Sequence, residues 1–355
     1  MVKNLRAGFL GAGAIAQSHA YALDALKYYY KDIPTVEKTV VASPTPESRE
    51  SFAERFGFSE AIPPDEIWER DDLDMLYILG PNQTHTTQLL QAVEVPAIQR
   101  IYIEKPISIS LDEVHALEAL DKSKHGKFIL VGFQYLQKSP VRQALAHWRS
   151  GVFGSPVHFR VEYLHGTYLD PVYREAHRER LVPAPVNGAL VDLGSHIISL
   201  LIAFLGDGLT VKSAAATVTV DGTTIDTDLC TTALLEDSSF GAAGTLTASR
   251  VSAGTKDQLI LEIRGTHGAL VFDTSQPDIY KSYIVDEGWR KHEKFGDYMP
   301  DSKFPSANAP SGWLRALVHN HYLFLGGKPG ISFLPDLAHG IQVQKLLLQI
   351  VELIH

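Results

Sequence analysis

Over the first 135 residues, short apolar runs alternate with segments of helical periodicity. Leu5 to Leu10, Thr39 to Ala42, Met75 to Leu79, Ile101 to Ile103 and Phe128 to Val131 are almost continuously apolar. That is the pattern of strands buried on both faces. Between them, Ala14 to Tyr30, Glu47 to Phe56, Thr86 to Val93 and Leu111 to Leu120 suit helices, and Gly57 closes the second. The alternation predicts a parallel sheet covered by helices on both sides. After about Gly154 the pattern changes. Val157 to Tyr163 alternates like an antiparallel strand, and Thr210 to Val220, Thr231 to Leu235, Gly241 to Ser249, Leu259 to Arg264 and Ala269 to Phe272 are β-rich. One strongly helical segment, Ala189 to Leu205, interrupts them. A last helix is expected from about Pro335 to Ile354, and the polar stretch Thr274 to Ser311 reads as a long surface loop or an edge hairpin.

At 355 residues the chain exceeds one ordinary core, so two domains are expected, 1–135 and 136–355. The formal charge of −9 is scattered, with no basic stripe, which argues against nucleic acid or an anionic membrane as partner but leaves room for a phosphorylated ligand. Cys230 is the only cysteine, so an intrachain disulfide and a cysteine metal cluster are both excluded. The fifteen histidines show no metal-ligand spacing, and no metal site is expected. Lys3 and Arg6 before the small apolar run Ala7 to Ala16 mimic a secretory leader, but a buried first strand and its glycine turn explain the same residues. No apolar stretch reaches transmembrane length. A cytoplasmic enzyme is the expectation.

Candidate chemistry concentrates at the ends of the predicted strands. Gly11 permits a tight strand-to-helix turn, Gly13 lets backbone amides approach a pyrophosphate, and Ala14, Ile15 and Ala16 open the helix whose N-terminus favours the anion. The second strand ends in Ala42-Ser43-Pro44-Thr45, with no acid to chelate ribose hydroxyls. Ser43 and Thr45, with Arg49 nearby, lean the cofactor towards NADP, although the same two residues also suit a plain turn. Pro81, Asn82 and His85 follow the third long strand; Asn82 and His85 either touch the cofactor or only fix the turn. Glu104-Lys105-Pro106 places an ammonium at the same sheet edge, able to donate to a reacting hydroxyl. In Asn187 to His196, a helix would set Asp192 and His196 on one face, either as carboxylate and general base or as a satisfied core pair.

Taken in order, these motifs resemble the glucose–fructose oxidoreductase / inositol dehydrogenase / MocA family over essentially the whole chain, including Gly265-Thr266-His267-Gly268-Ala269-Leu270 late in the second half. The resemblance implies a Rossmann dinucleotide-binding domain followed by an α/β domain with a large, mostly antiparallel open sheet. It implies that Lys105, Asp192 and His196 meet over the nicotinamide of a bound NAD(P): Lys105 polarising the hydroxyl, Asp192 orienting substrate or His196, and His196 acting as general acid/base. Pro81, Asn82, His85, Glu104 and Lys105 would line the cofactor site. Lys138 would do the work of an arginine that relatives carry after the last Rossmann strand. Asn187 stands where a glycine is common and Ser199 where many relatives have aspartate, which puts the substrate in doubt rather than the chemistry. The activity implied is an oxidoreductase acting on the CH–OH groups of a sugar, an inositol or a related polyol, assembled as a homodimer or homotetramer through the C-terminal sheet. Two rivals remain. One is an enzyme using tightly held NAD transiently for sugar cleavage or epimerisation; the other is a non-catalytic dinucleotide-binding sensor, against which the survival of Lys105, Asp192 and His196 weighs.

Overall fold

The computed structural model describes residues 4–354 except 124, 297, 301, 303 and 306–308, so Lys3 and parts of the Thr274–Ser311 stretch lie outside the described residues. The first half contains β1 (Asn4–Leu10), α1 (Ala14–Tyr29), β2 (Thr35–Ala42), α2 (Pro46–Phe56), β3 (Glu60–Ile62), β4 (Met75–Ile78), α3 (His85–Glu94), β5 (Arg100–Ile103), α4 (Leu111–Lys122) and β6 (Phe128–Val131). The strands form one parallel sheet in the order β3-β2-β1-β4-β5-β6. Every residue of β4 is buried, because helices cover both faces. The chain leaves β1 towards β2 and β3 on one side, then crosses back to add β4 on the other. The carboxyl ends of β1 and β4 therefore flank a crevice, which is where ligands bind in open α/β sheets.

The second half contributes α5 (Ser139–Arg149), β7 (Pro156–Leu164), α6 (Pro171–Ala176), α7 (Ser195–Leu205), β8 (Leu209–Thr217), β9 (Thr219–Val220), β10 (Thr223–Thr224), β11 (Cys230–Asp237), β12 (Ala242–Ser249), β13 (Gln258–Gly265), β14 (Gly268–Asp273), β15 (Ile279–Ile284), β16 (Gly288–Glu293), α8 (Trp313–Phe324) and α9 (Leu337–Ile354). Eight strands make a sheet in the order β16-β15-β14-β13-β7-β12-β11-β8. All neighbours are antiparallel except β7 and β12. Phe159, Val161, Leu246, Leu261, Ile263 and Phe272 form the buried face of this sheet, and they join α7 in one core. On the strands between them Arg160, Glu162, Glu262 and Arg264 alternate outward and pair with one another. The expected fold, a Rossmann domain plus an α/β domain with a large mostly antiparallel open sheet, is the observed one.

The polar stretch after Thr274 contains the edge hairpin β15–β16, one of the two forms expected for it. Two features depart from the sequence reading. Helices α5 and α8 were not expected. In α8, Arg315, His319, Asn320 and His321 are all buried alongside Leu317, Val318 and Phe324, so no polar face marks it as a helix. It packs on α1 and closes the core over the first sheet. Finally, the predicted helix Ala189–Leu205 divides: Leu190–Gly194 is a wider π turn and only Ser195–Leu205 is α-helical. Gly188, at φ +105°, turns the chain into it, and a Cβ there would lie 1.8 Å from the Asp228 carboxylate. The same carboxylate accepts the Leu190 amide at 2.8 Å, fixing the start of the turn.

Candidate active site

A cleft of about 690 Å³ opens at the crevice between β1 and β4 and runs beneath the second domain. The glycine turn lies beside it, at the end of β1. Gly11 sits at φ +122°, and a Cβ on it would meet the Leu79 backbone at 2.7 Å, so only glycine fits. A Cβ on Gly13, by contrast, would meet nothing within 4 Å. Gly13 caps α1 with no side-chain partner, and the first-turn amides, including those of Ala14 and Ile15, face open space. A bare helix N-terminus beside such room fits a pyrophosphate, and Ile15 lines the adjoining cleft.

The tip of β2 is less open than its sequence suggested. Ser43 is buried, with its amide on Ile62 O, while Thr45 is exposed. The Arg49 guanidinium donates to the carbonyls of Ser43 (3.0 Å) and Pro44 (3.2 Å). It braces the turn instead of standing free for a phosphate.

Lys105 follows β5 and reaches across the cleft. Its Nζ donates to the Asp192 main-chain oxygen at 2.9 Å and to Asp192 Oδ1 at 3.0 Å. The other carboxylate oxygen, Oδ2, accepts from Arg250 at 2.9 Å. Burial alone would raise the Asp192 carboxyl, but the charges of Lys105 and Arg250 and their hydrogen bonds outweigh it and hold the group well below the usual carboxylate range. Both oxygens being so engaged, Asp192 makes no hydrogen bond to His196, and the expected carboxylate–imidazole couple is not formed. His196 lies within reach of the rings of Phe133 and Tyr135, and its Nδ1 is buried without a partner. Burial, then the Lys105 charge, push the imidazole well below its ordinary pKa, so it is neutral at neutral pH.

The turns around Lys105 are held from below. Glu104 Oε1 meets His19 Nε2 at 3.0 Å, His19 Nδ1 meets His321 Nε2 at 2.9 Å, and His321 Nδ1 meets the Tyr77 hydroxyl at 3.1 Å. With one proton on each ring, this buried chain is satisfied from the Tyr77 hydroxyl to the Glu104 carboxylate. Its other oxygen accepts the Lys105 amide. His85 has both ring nitrogens on carbonyls, Pro106 O at 2.7 Å and Gly80 O at 2.9 Å. It thus ties the Lys105–Pro106 turn to the end of β4, while burial pushes its pKa down against those two bonds. Asn82 neither caps a helix nor closes its own turn; its amide donates across the cleft to Val186 O at 2.8 Å. Pro81 O accepts from Thr84 and shapes the same loop. Lys138, at the start of α5, is buried along the cleft wall, and burial lowers its pKa against the opposing charge of Asp278.

Three residues of this site were missed from the sequence. Arg250 is fully buried, spans Asp192, Asn187 Oδ1 (3.1 Å) and Arg180 O (3.0 Å), and lies over the Tyr168 ring. Its only signal was a cation ending the alternating strand β12. His19 and His321 sit inside apolar helices with no local motif at all. The two departures noted above also find roles: Asn187 accepts from Arg250, and Ser199 bonds His339 at 2.8 Å between α7 and α9. Among the described residues no group of three or more His, Cys, Asp or Glu converges as a metal site would require, and no helix is long and apolar enough to cross a membrane.

Residues 5–133 match the oxidoreductase family with an NAD-binding Rossmann fold, and residues 141–271 match the GFO/IDH/MocA C-terminal domain. The chain belongs to the Gfo/Idh/MocA family of oxidoreductases. It is 25% identical to the levoglucosan dehydrogenase of Pseudarthrobacter phenanthrenivorans, over 96% of this chain and 94% of that one. It is also 25% identical to the scyllo-inositol 2-dehydrogenase (NAD(+)) of Bacillus subtilis, over 77% and 75% respectively. Among solved structures, a levoglucosan dehydrogenase in complex with NADH superposes with a TM-score of 0.87 at 23% identity, covering 99% of this chain and 96% of its own. An inositol dehydrogenase homolog from Azotobacter vinelandii with NAD+ gives 0.81 at 18%, covering 99% and 95%. These superpositions establish the fold.

Proposed function

We propose that the protein is an NAD(P)-dependent dehydrogenase that oxidises a secondary hydroxyl of a sugar, an inositol or a related polyol, or reduces the matching carbonyl. The observation that carries this reading is the single cleft in which Lys105, Asp192 and His196 converge beside the open turn at Gly13. Nicotinamide, when bound, supplies the hydride acceptor or donor. The chain's own residues handle the proton and the oxygen. Lys105 Nζ donates to the reacting oxygen and stabilises the charge it gains as its proton leaves. His196, neutral and with one ring nitrogen unpartnered, accepts that proton or returns it in the reverse direction. Asp192 stays ionised, holds Lys105 in place and offers its exposed edge to a neighbouring substrate hydroxyl; its side chain remains 29% exposed. Lys138 extends the donor set along the cleft wall. The cofactor would be held by Gly11, Gly13, Ala14, Ile15, Ser43, Thr45, Pro81, Asn82 and Glu104, with His85 setting the loop between Gly80 and Pro106.

The support comes from outside the chain as well: the named relatives are a levoglucosan dehydrogenase and a scyllo-inositol 2-dehydrogenase. We infer either dinucleotide as cofactor, with the lean towards NADP resting on Ser43 and Thr45 alone, since Arg49 is engaged. Replacing Ser43 by Asp should then weaken NADP relative to NAD by about tenfold or more; an unchanged preference sinks the lean. We further propose that residues 1–135 form the dinucleotide unit and 136–355 the substrate unit, which lends α8 to the first sheet. The open, charged face of the large sheet would pair copies into a cytoplasmic homodimer or homotetramer, testable by light scattering.

A panel of aldoses, anhydrosugars and inositols with NAD+ and NADP+, followed by absorbance of the reduced nicotinamide, tests the central reading. Lys105→Ala and His196→Ala should each lower kcat by about 100-fold or more while dinucleotide binding persists. Near-normal turnover in both variants, or cofactor retained through purification with no net turnover, would overturn the assignment.

A further inference from the structure

Beyond Asp192 and His196 the cleft continues into a second cavity of about 290 Å³. It shares Tyr163, Arg180, Asp192, His196 and Asp257 with the main cleft and adds His165, Thr167, Tyr168, Tyr173 and Leu193. Every one of these residues comes from the second half of the chain, so the cavity extends away from the glycine turn and its cofactor. Its size is near the lower limit for small-molecule pockets, roughly 300 Å³, which suits one additional ring and not a whole ligand.

Its lining is unfinished in a way that calls for a ligand. Tyr168 is 2% exposed, yet its hydroxyl has no hydrogen-bond partner among the described residues. A buried hydroxyl without a partner is costly, so one is rarely left so unless a ligand or water completes it. Asp257 holds a left-handed backbone at φ 47°, uncommon for a non-glycine residue, and lines both cavities. The Asp257 carboxylate and the Arg180 guanidinium are both exposed, make no side-chain hydrogen bond or ion pair with a described residue, and line the junction of the two cavities, where a ligand can reach them. One acceptor, one cationic donor and one buried hydroxyl therefore converge between the rings of Tyr163, Tyr168 and Tyr173.

We propose that this cavity is a second sugar subsite, and that the preferred substrate is a neutral glycoside or disaccharide rather than a free monosaccharide. Hydroxyls of the second ring donate to Asp257 and accept from Arg180 and Tyr168, while the tyrosine rings pack on its C–H faces. A ring carrying its own charge meets an unlike partner and a like one at the same junction, which favours an uncharged unit. The first ring keeps its reacting hydroxyl at Lys105 and His196, so this inference rests on the dehydrogenase reading above.

The test compares cellobiose, maltose and trehalose with glucose and myo-inositol on the purified full chain. At least one disaccharide should exceed the monosaccharides in kcat/KM by about tenfold or more. Thr167→Trp fills the cavity from an exposed position and Tyr173→Ala opens its wall; neither residue touches the main cleft. Both variants should bring the disaccharide down to the monosaccharide value and leave the latter within about twofold. Equal loss on both substrates, or no disaccharide preference in the unaltered chain, overturns the subsite. Calorimetric binding to the dinucleotide-loaded protein separates the two readings. If no sugar is oxidised but a disaccharide binds more tightly than glucose and Thr167→Trp abolishes the difference, the subsite stands and the dehydrogenase reading fails.

Discussion

Arg250 decides the charge balance at the reacting centre. Lys105 and Arg250 share one carboxylate, and the guanidinium is fully buried while the Asp192 side chain is not. Without Arg250, Asp192 would depend on Lys105 alone, and its carboxyl would rise towards the ordinary range because a cation that lowers it is gone. Arg250→Met should therefore lower kcat/KM and move the acid limb of its pH profile upward. It should also cost roughly 1–3 kcal/mol of stability, since it removes the hydrogen bonds that Arg250 makes to Asp192, Asn187 and the Arg180 carbonyl. A profile of unchanged shape with only lower stability would reduce Arg250 to a packing residue. At this scale the sequence pointed to Lys105, Asp192 and His196, because each sits at the end of a strand or inside an apolar helix where a polar group needs a reason. It did not point to Arg250, because a cation after a strand is commonplace until its partner is known.

Among the elements, α8 matters most for how the site is held. It comes last but one in the chain, yet His321 on it completes the line of hydrogen bonds from Tyr77 through His19 to Glu104. Tyr77, Tyr102 and His321 also stack, so the ring is packed as well as bonded. His321→Phe keeps the stack but leaves His19 Nδ1 and the Tyr77 hydroxyl unpartnered. Urea unfolding should show a loss of about 2 kcal/mol or more. Lys105 should also become less well placed, seen as a fall in kcat with little change in dinucleotide affinity. An unaltered unfolding midpoint would mean that water replaces the ring without cost. The π turn Leu190–Gly194 makes a related point. Helical periodicity marked the whole segment, but the Asp228 carboxylate 38 residues away captures its first amide and widens the turn.

For the whole molecule, buried histidines set the response to acid. His196, His319 and His321 are pushed well below their ordinary pKa and His339 to about 3, in each case chiefly by burial. The unfolded chain takes up protons near pH 6.5 while these folded imidazoles stay neutral, so the unfolded state binds more protons and stability falls as pH drops. Each such group removes about 1.4 kcal/mol per pH unit below roughly 6.5. Asp192 acts only below its unfolded carboxyl value near 3.8 and does not offset them in this window. Scanning calorimetry should show Tm falling steeply between pH 7 and 5.5; a flat Tm over that range would mean that these rings are protonated or exposed in the folded state.

Local pattern alone determined the alternation of strands and helices, the parallel first sheet, the glycine turn and the strand ends that carry Lys105 and Pro81. These rest on periodicity and on the conformational limits of glycine, which act over a few residues. Tertiary structure alone decided that Arg49 turns onto Ser43 and Pro44, that Asp192 faces Lys105 and Arg250 instead of His196, and that α8 returns to brace Glu104. The first depends on a side chain folding back over its own turn, and the last two on a polar group finding its partner far along the chain. Which partner it finds is set by the packing of the sheets and helices around it, and sequence spacing carries no record of that distance.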